Sequence, residues 1–203
     1  MSTLQVNTIE NRSGERFDLG GGNKNLLING GMDVWQRSTS ATVTGAYHTA
    51  DRWETDFVGL GTFTQSRSTD VPSGQGFGYS LKMDCTAADA SPAATDKLFI
   101  VQRIEGQNLI HLMKGTSNAK KITLSFWVKS NKTGTYVVKF EDGNARFISK
   151  TYTISSSLTW EKKTITIDGD TGGSAITNDN TEGLSVQWWL GAGANFTSGL
   201  NTS

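Results

Sequence analysis

The chain has one cysteine, two prolines and two histidines. Neither charge sign is in surplus, with 19 Lys plus Arg against 19 Asp plus Glu over 203 residues. Each scarcity excludes something. A lone thiol, Cys85, forms no intrachain disulfide, so the fold does not depend on an oxidising compartment. One Cys with His48 and His111 cannot make a zinc site of the usual ligand spacing. The neutral balance supplies no field to attract nucleic acid or an anionic membrane surface. No stretch approaches the roughly 20 apolar residues that a membrane span requires, and the N-terminus lacks a basic segment followed by an apolar run. The expectation is a protein made in a cytoplasm, soluble or assembled, with no nucleic-acid partner and no membrane insertion.

What the chain does have is 23 Gly, 46 Ser plus Thr and 13 Asn, a composition that favours short strands and tight turns over long helices. Period-two alternation supports an all-β, antiparallel reading. Ile122, Leu124, Phe126 and Val128 alternate with Thr123, Ser125, Trp127 and Lys129. Strands over Tyr136 to Phe140 and Ala145 to Ile154 flank Asp142-Gly143, a hairpin signal. Trp160 to Ile167 gives another strand, and Leu184, Val186, Trp188 and Leu190 share one phase of the next. Earlier, Tyr79, Leu81, Met83 and Cys85 form an apolar row, and Leu98 to Ile104 reads as a strand. Shorter strands are predicted near Val34, over Arg52 to Phe57 and near Phe63. Leu109, Leu112 and Met113 suit a single short helix over Glu105 to Met113, ended by Gly115. Eight or more strands at this spacing make a β-sandwich.

Residues 1–24 stand apart, with only Leu4, Val6, Ile9, Phe17 and Leu19 to bury before Gly20-Gly21-Gly22. So little apolar surface does not fold alone. The spacing of Leu4 and Val6 suits a short strand that pairs with something else, and the alternative is a disordered tail. The division is an extended arm over 1–24 and a sandwich over 25–203.

No pattern carries catalysis. Cys85 falls on the apolar phase of its strand and reads as a buried thiol. Gly74 to Gly78 lacks the strand-turn-helix context of a phosphate loop and reads as a turn. Asp168, Asp170, Asp179 and Glu182 do not follow a calcium-loop spacing and read as solvated loop acids. No cofactor and no metal site is expected, and the chain reads as a non-enzyme. Trp188 reads as core. Trp127 and Trp189 fall on the opposite phase of their strands, where an outward ring stacks on a sugar or anchors a subunit, unless a loop or another chain covers it. Trp35 with Arg37, and Asp51 with Arg52 and Trp53, form a candidate structural brace, with each arginine within reach of Asp33 or Asp51.

Four strings also carry a resemblance: Asn25 to Arg37, Ala50-Asp-Arg-Trp53, Phe99 to Gly106 and Thr123 to Lys129. Together they resemble tail-fibre and related virion proteins of tailed bacteriophages, and Met1 to Glu10 is similar to the start of fibre-like proteins from marine phages. The resemblance implies a jelly-roll sandwich like that of carbohydrate-binding modules and a homotrimer. It also implies attachment to other tail proteins through the N-terminal arm, with Leu4, Val6 and Ile9 as the docking residues. A possible further partner is a host cell-surface glycan. Proteins of this kind continue past the equivalent of Leu200 to Ser203 into another strand. The early stop implies an edge strand supplied by a neighbour, or a short version of the fold.

Overall fold

The computed structural model describes residues 8–10, 16–18 and 25–197. Its strands are β1 (Thr8–Glu10), β2 (Arg16–Asp18), β3 (Ser40–Thr42), β4 (Glu54–Val58), β5 (Thr62–Ser68), β6 (Ser80–Ala87), β7 (Lys97–Glu105), β8 (Ile122–Val128), β9 (Gly134–Glu141), β10 (Phe147–Ile154), β11 (Glu161–Ile167) and β12 (Glu182–Ala192). β1 and β2 form a hairpin in which Thr8 lies opposite Asp18 and Ile9 opposite Phe17. Leu4, Val6 and the Gly20 to Gly22 run lie outside the described residues.

The remaining strands make an all-β antiparallel sandwich. One layer is a five-stranded sheet in the order β10-β9-β12-β7-β4; the strands β11-β8 and β3-β5-β6 form two further sheets. The core lies between the five-stranded sheet and the β11-β8 pair. Val138, Phe140, Tyr152, Ile154, Val186 and Trp188 of the first meet Leu124, Ile165 and Ile167 of the second. Alternation drives this: on β8 the Ile122, Leu124, Phe126, Val128 row packs inward while Thr123 and Ser125 stay exposed. Trp188 sits among rings, 5.4 Å from Trp53 and edge-on to Phe126 at 5.8 Å. Phe126 in turn stands edge-on to Tyr152 at 5.1 Å. Tilted and edge-on pairs of this kind each add about 0.5–1.5 kcal/mol beyond area burial.

Four local expectations need correction. No strand forms near Val34, because the Asn29 side chain takes the Val34 N–H and Asp51 N–H takes its carbonyl. The segment after β7 is two 3₁₀ turns, Gly106–Asn108 and Ile110–Leu112, rather than one helix. Its N–H groups reach back three residues, and Met113 closes it in the left-handed region at φ 53°. Leu190 is exposed: a bulge between Trp189 and Gly191 leaves it without a partner on β7 and breaks the phase it shared with Trp188. Cys85 is exposed too. It lies toward the end of β6, which pairs only with β5 among the described strands, so its sheet phase places nothing over it.

Candidate functional site

The segment from Asn25 to Arg37 is organised by Asn29. Its Oδ1 accepts from the N–H groups of Asp33 and Val34, and its Nδ2 donates to the carbonyls of Val34 and Asp51. This holds Asn29 at φ 55°, a conformation that asparagine tolerates better than most residues. Its carbonyl accepts from Trp53 Nε1 at 3.0 Å, and Trp35 Nε1 donates to the Met32 carbonyl. Trp53 is buried in the core, and Trp35 packs against the same cluster. Arg37 pairs with Asp51 at 2.9 Å, while the other Asp51 oxygen accepts from Gln36 N–H. The Arg37 guanidinium lies over Tyr47, 5.6 Å from the ring centre, rather than over a tryptophan.

Arg52 reaches neither Asp33 nor Asp51. Its guanidinium donates to Glu105 Oε1 at 2.9 Å and to the Arg103 carbonyl at 3.2 Å. Those bonds hold Arg52 at φ 71°. Gln102, fully buried in β7, exchanges two hydrogen bonds with the Ile28 backbone at 2.6 and 2.9 Å. The strings Asn25 to Arg37, Ala50 to Trp53 and Phe99 to Gly106 therefore meet at one place.

The register of the five-stranded sheet sets three rows of side chains on its outward face. Glu141, Ser185 and Arg103 make one row; Ser149, Lys139, Gln187, Val101 and Glu54 the next; Thr151, Val137, Trp189, Phe99 and Asp56 the third. Its middle is polar yet covered, with Ser185 0 % and Gln187 4 % exposed. Gln187 Nε2 donates to Glu141 Oε2 at 2.9 Å, and Lys139 pairs with the same carboxylate at 2.7 Å. Arg103 bridges Glu54 at 3.0 Å and Glu182 at 2.5 Å. Burial disfavours the Arg103 charge, but its hydrogen bonds to the two carboxylates outweigh that and raise its pKa above the ordinary arginine value. Neither this Arg103 bridge nor the Gln187 network was anticipated from the sequence. The available signal was an arginine inside a largely apolar strand and two polar residues, Ser185 and Gln187, on the phase of β12 opposite Val186 and Trp188.

Trp189 belongs to this face but is half-buried. Its ring lies 4.6 Å from Phe99 and 5.5 Å from Phe196, and its Nε1 donates to Gln187 Oε1. Trp127, likewise half-buried, lies on the outward face of the β11-β8 pair, opposite Lys162 and next to the exposed row Thr123, Ser125, Thr164 and Thr166. It contacts no aromatic ring among the described residues. Because β8 and β12 turn their other faces to the same core, Trp127 and Trp189 point out of opposite sides of the sandwich.

The loop acids are held by cations: Asp168 by Lys121 at 2.7 Å, Asp170 by Arg146 at 3.0 Å, Glu182 by Arg103. Asp179 accepts from the Thr181 hydroxyl and N–H, which hold its carboxyl below the usual range. Among the described residues no group of three or more His, Cys, Asp or Glu is placed to hold a metal ion. His48 bonds Thr44, and His111 sits exposed in a 3₁₀ turn.

No family model matches the chain, and no curated protein does. Among solved structures the chain is similar to part of the enzymatically active domain of tailspike protein 4 of bacteriophage CBA120. The identity is 15 % and the TM-score 0.46, over 81 % of this chain and 19 % of that one. The chain thus spans about a fifth of that structure's length.

Proposed function

We propose that this chain is a non-enzymatic virion component of a bacteriophage tail, a fibre or fibre adaptor with a jelly-roll-type sandwich. In this reading residues 1–24 attach it to the tail through Leu4, Val6 and Ile9, and the sandwich contributes to recognition of host-surface glycans. The observation that supports the reading is the convergence of three of the four strings behind the fibre resemblance: Asn25 to Arg37, Ala50 to Trp53 and Phe99 to Gly106. Far apart in sequence, they are tied by the Ile28–Gln102, Asn29–Trp53 and Arg52–Glu105 bonds. Three of the four strings thus form one cooperating scaffold. Recognition belongs elsewhere on the surface, since scaffold groups already bonded to one another are poor partners for a ligand.

Of the two outward tryptophans, Trp127 is the stacking platform in this reading, because exposed hydroxyls and Lys162 lie beside it and no aromatic ring among the described residues contacts it. Trp189 already has ring partners on the chain itself. Trp127→Ala is expected to abolish binding on a glycan array while leaving the urea midpoint little changed. Array binding that survives this substitution would remove Trp127 from the site. A second reading is a structural connector without glycan affinity, in which Trp127 anchors a subunit contact. The covering of Trp189 favours it, and an array on which the unaltered chain binds nothing would support it.

A further inference from the structure

Asn29-Gly30 is the one Asn-Gly step in the chain. The fold demands its two residues to different degrees. At Asn29 the backbone sits at φ 55°, which glycine, asparagine and aspartate adopt more readily than other residues. Its carboxamide serves two donors and two acceptors at once: the N–H groups of Asp33 and Val34 at 2.9 and 3.0 Å, and the carbonyls of Val34 and Asp51 at 3.0 Å each. Glycine has no side chain to do this, and an aspartate carboxylate cannot donate to the two carbonyls. Asparagine is what the site requires.

Gly30 is not required in that sense. It is exposed, its φ lies outside the left-handed region, and a methyl group placed on it would have Asn25 Nδ2 as its nearest neighbour, at an ordinary 3.7 Å. A methyl group on Gly31, by contrast, would come within 2.7 Å of the Asp33 carboxylate. Alanine therefore fits at position 30, yet the residue present is the one that leaves its amide nitrogen least hindered.

This pairing has a chemistry of its own. Where the asparagine side chain is free to turn, the Gly30 amide nitrogen, having lost its proton to base, attacks Cγ. The N–Cγ bond forms, the Cγ–Nδ2 bond breaks, ammonia leaves and a five-membered succinimide remains. Water opens that ring to aspartate or isoaspartate. In the folded chain Cγ cannot turn toward Gly30 without breaking the four bonds on the carboxamide. The Asn29 carbonyl is fixed as well, by Trp53 Nε1 at 3.0 Å and the Met32 N–H at 3.1 Å.

We propose that Asn29 is a deamidation site which the scaffold keeps closed, so that opening of the Asn25 to Arg37 segment is recorded irreversibly. The product does not rebuild the scaffold. Aspartate sets a carboxylate oxygen against the Val34 and Asp51 carbonyls to which Nδ2 donated. Isoaspartate lengthens the main chain by a carbon just after Ile28, whose backbone Gln102 holds. The site is separate from Trp127 and stands without the arm or the tail assignment.

Peptide mapping of the full chain after incubation in mildly alkaline buffer, with and without denaturing urea, tests it. Trypsin releases Asn25 to Arg37 as one peptide, and fragmentation locates the gain in mass of an amide turned acid. Conversion at Asn29 is expected to be about tenfold or more slower in buffer than in urea, because it waits on local opening. A chain left in urea until converted should not regain the urea midpoint of a chain refolded at once, and Asn29→Asp should reproduce that loss. Gly30→Ala should keep the native midpoint and slow conversion in urea severalfold. Equal rates in buffer and urea, a converted chain with an unchanged midpoint, or a Gly30→Ala chain that converts in urea as fast as the unaltered one would overturn the proposal.

Discussion

Trp188→Ala is expected to lower the free energy of unfolding by about 3–5 kcal/mol, measured from urea denaturation at neutral pH. The indole is 9 % exposed and lies where the two layers meet, against Trp53 and Phe126. Its removal takes away buried apolar surface and leaves a cavity lined by rings that cannot collapse into it without breaking their own edge-on packing. Domains of this size have total stabilities of about 5–15 kcal/mol, so the variant would be close to unfolding at moderate denaturant. Trp127→Ala, on the outward face of β8, should cost much less. If Trp188→Ala loses under about 1 kcal/mol, the layers do not share the core described.

The second large effect concerns Lys114. Its side chain is 12 % exposed and pairs at 2.8 Å with Asp142, whose side chain is 4 % exposed. Burial pushes the Asp142 carboxyl up, but the Lys114 ammonium and the N–H groups of Arg146 and Asn144 overcome this and hold it below the usual carboxylate range. Lys114→Met removes the partner and leaves a buried carboxylate, a loss of about 3–5 kcal/mol at neutral pH.

The pH dependence has a definite sign. A carboxyl with a lowered folded pKa contributes its full stability above the unfolded value of about 4. That contribution fades as pH falls from there through the folded pKa. Once Lys114 is gone, only the N–H groups of Arg146 and Asn144 oppose burial, so the Asp142 pKa rises relative to the unaltered protein and acid relieves the penalty by protonating it. The gap in urea midpoint between the two proteins is therefore expected to narrow from pH 7 to about pH 3. A gap that widens in acid would show that Asp142 is not the group responsible.

Strands whose two faces differ were legible in the sequence: β8 and β9 follow their alternation, and the Val186, Trp188 row of β12 lies in the core. What alternation could not supply was the effect of side chains acting on backbone. Asn29 occupies the backbone groups that a strand at Val34 would have used, and no periodicity encodes that. The bulge at Leu190 and the edge position of β6 likewise depend on partners distant in sequence, so the phases of Leu190 and Cys85 misled. At the candidate sites, strand phase set Trp127 and Trp189 on outward faces, but which ring would be covered depended on Phe99 and Phe196.

The tail assignment is tested most directly by following the full chain and a chain lacking residues 1–24 into purified virions by immunogold electron microscopy. Gold is expected on tails for the full chain, and virion labelling is expected to be lost for the truncated chain while it remains folded by circular dichroism. Label on capsids, or a truncated chain incorporated at normal occupancy, would contradict it.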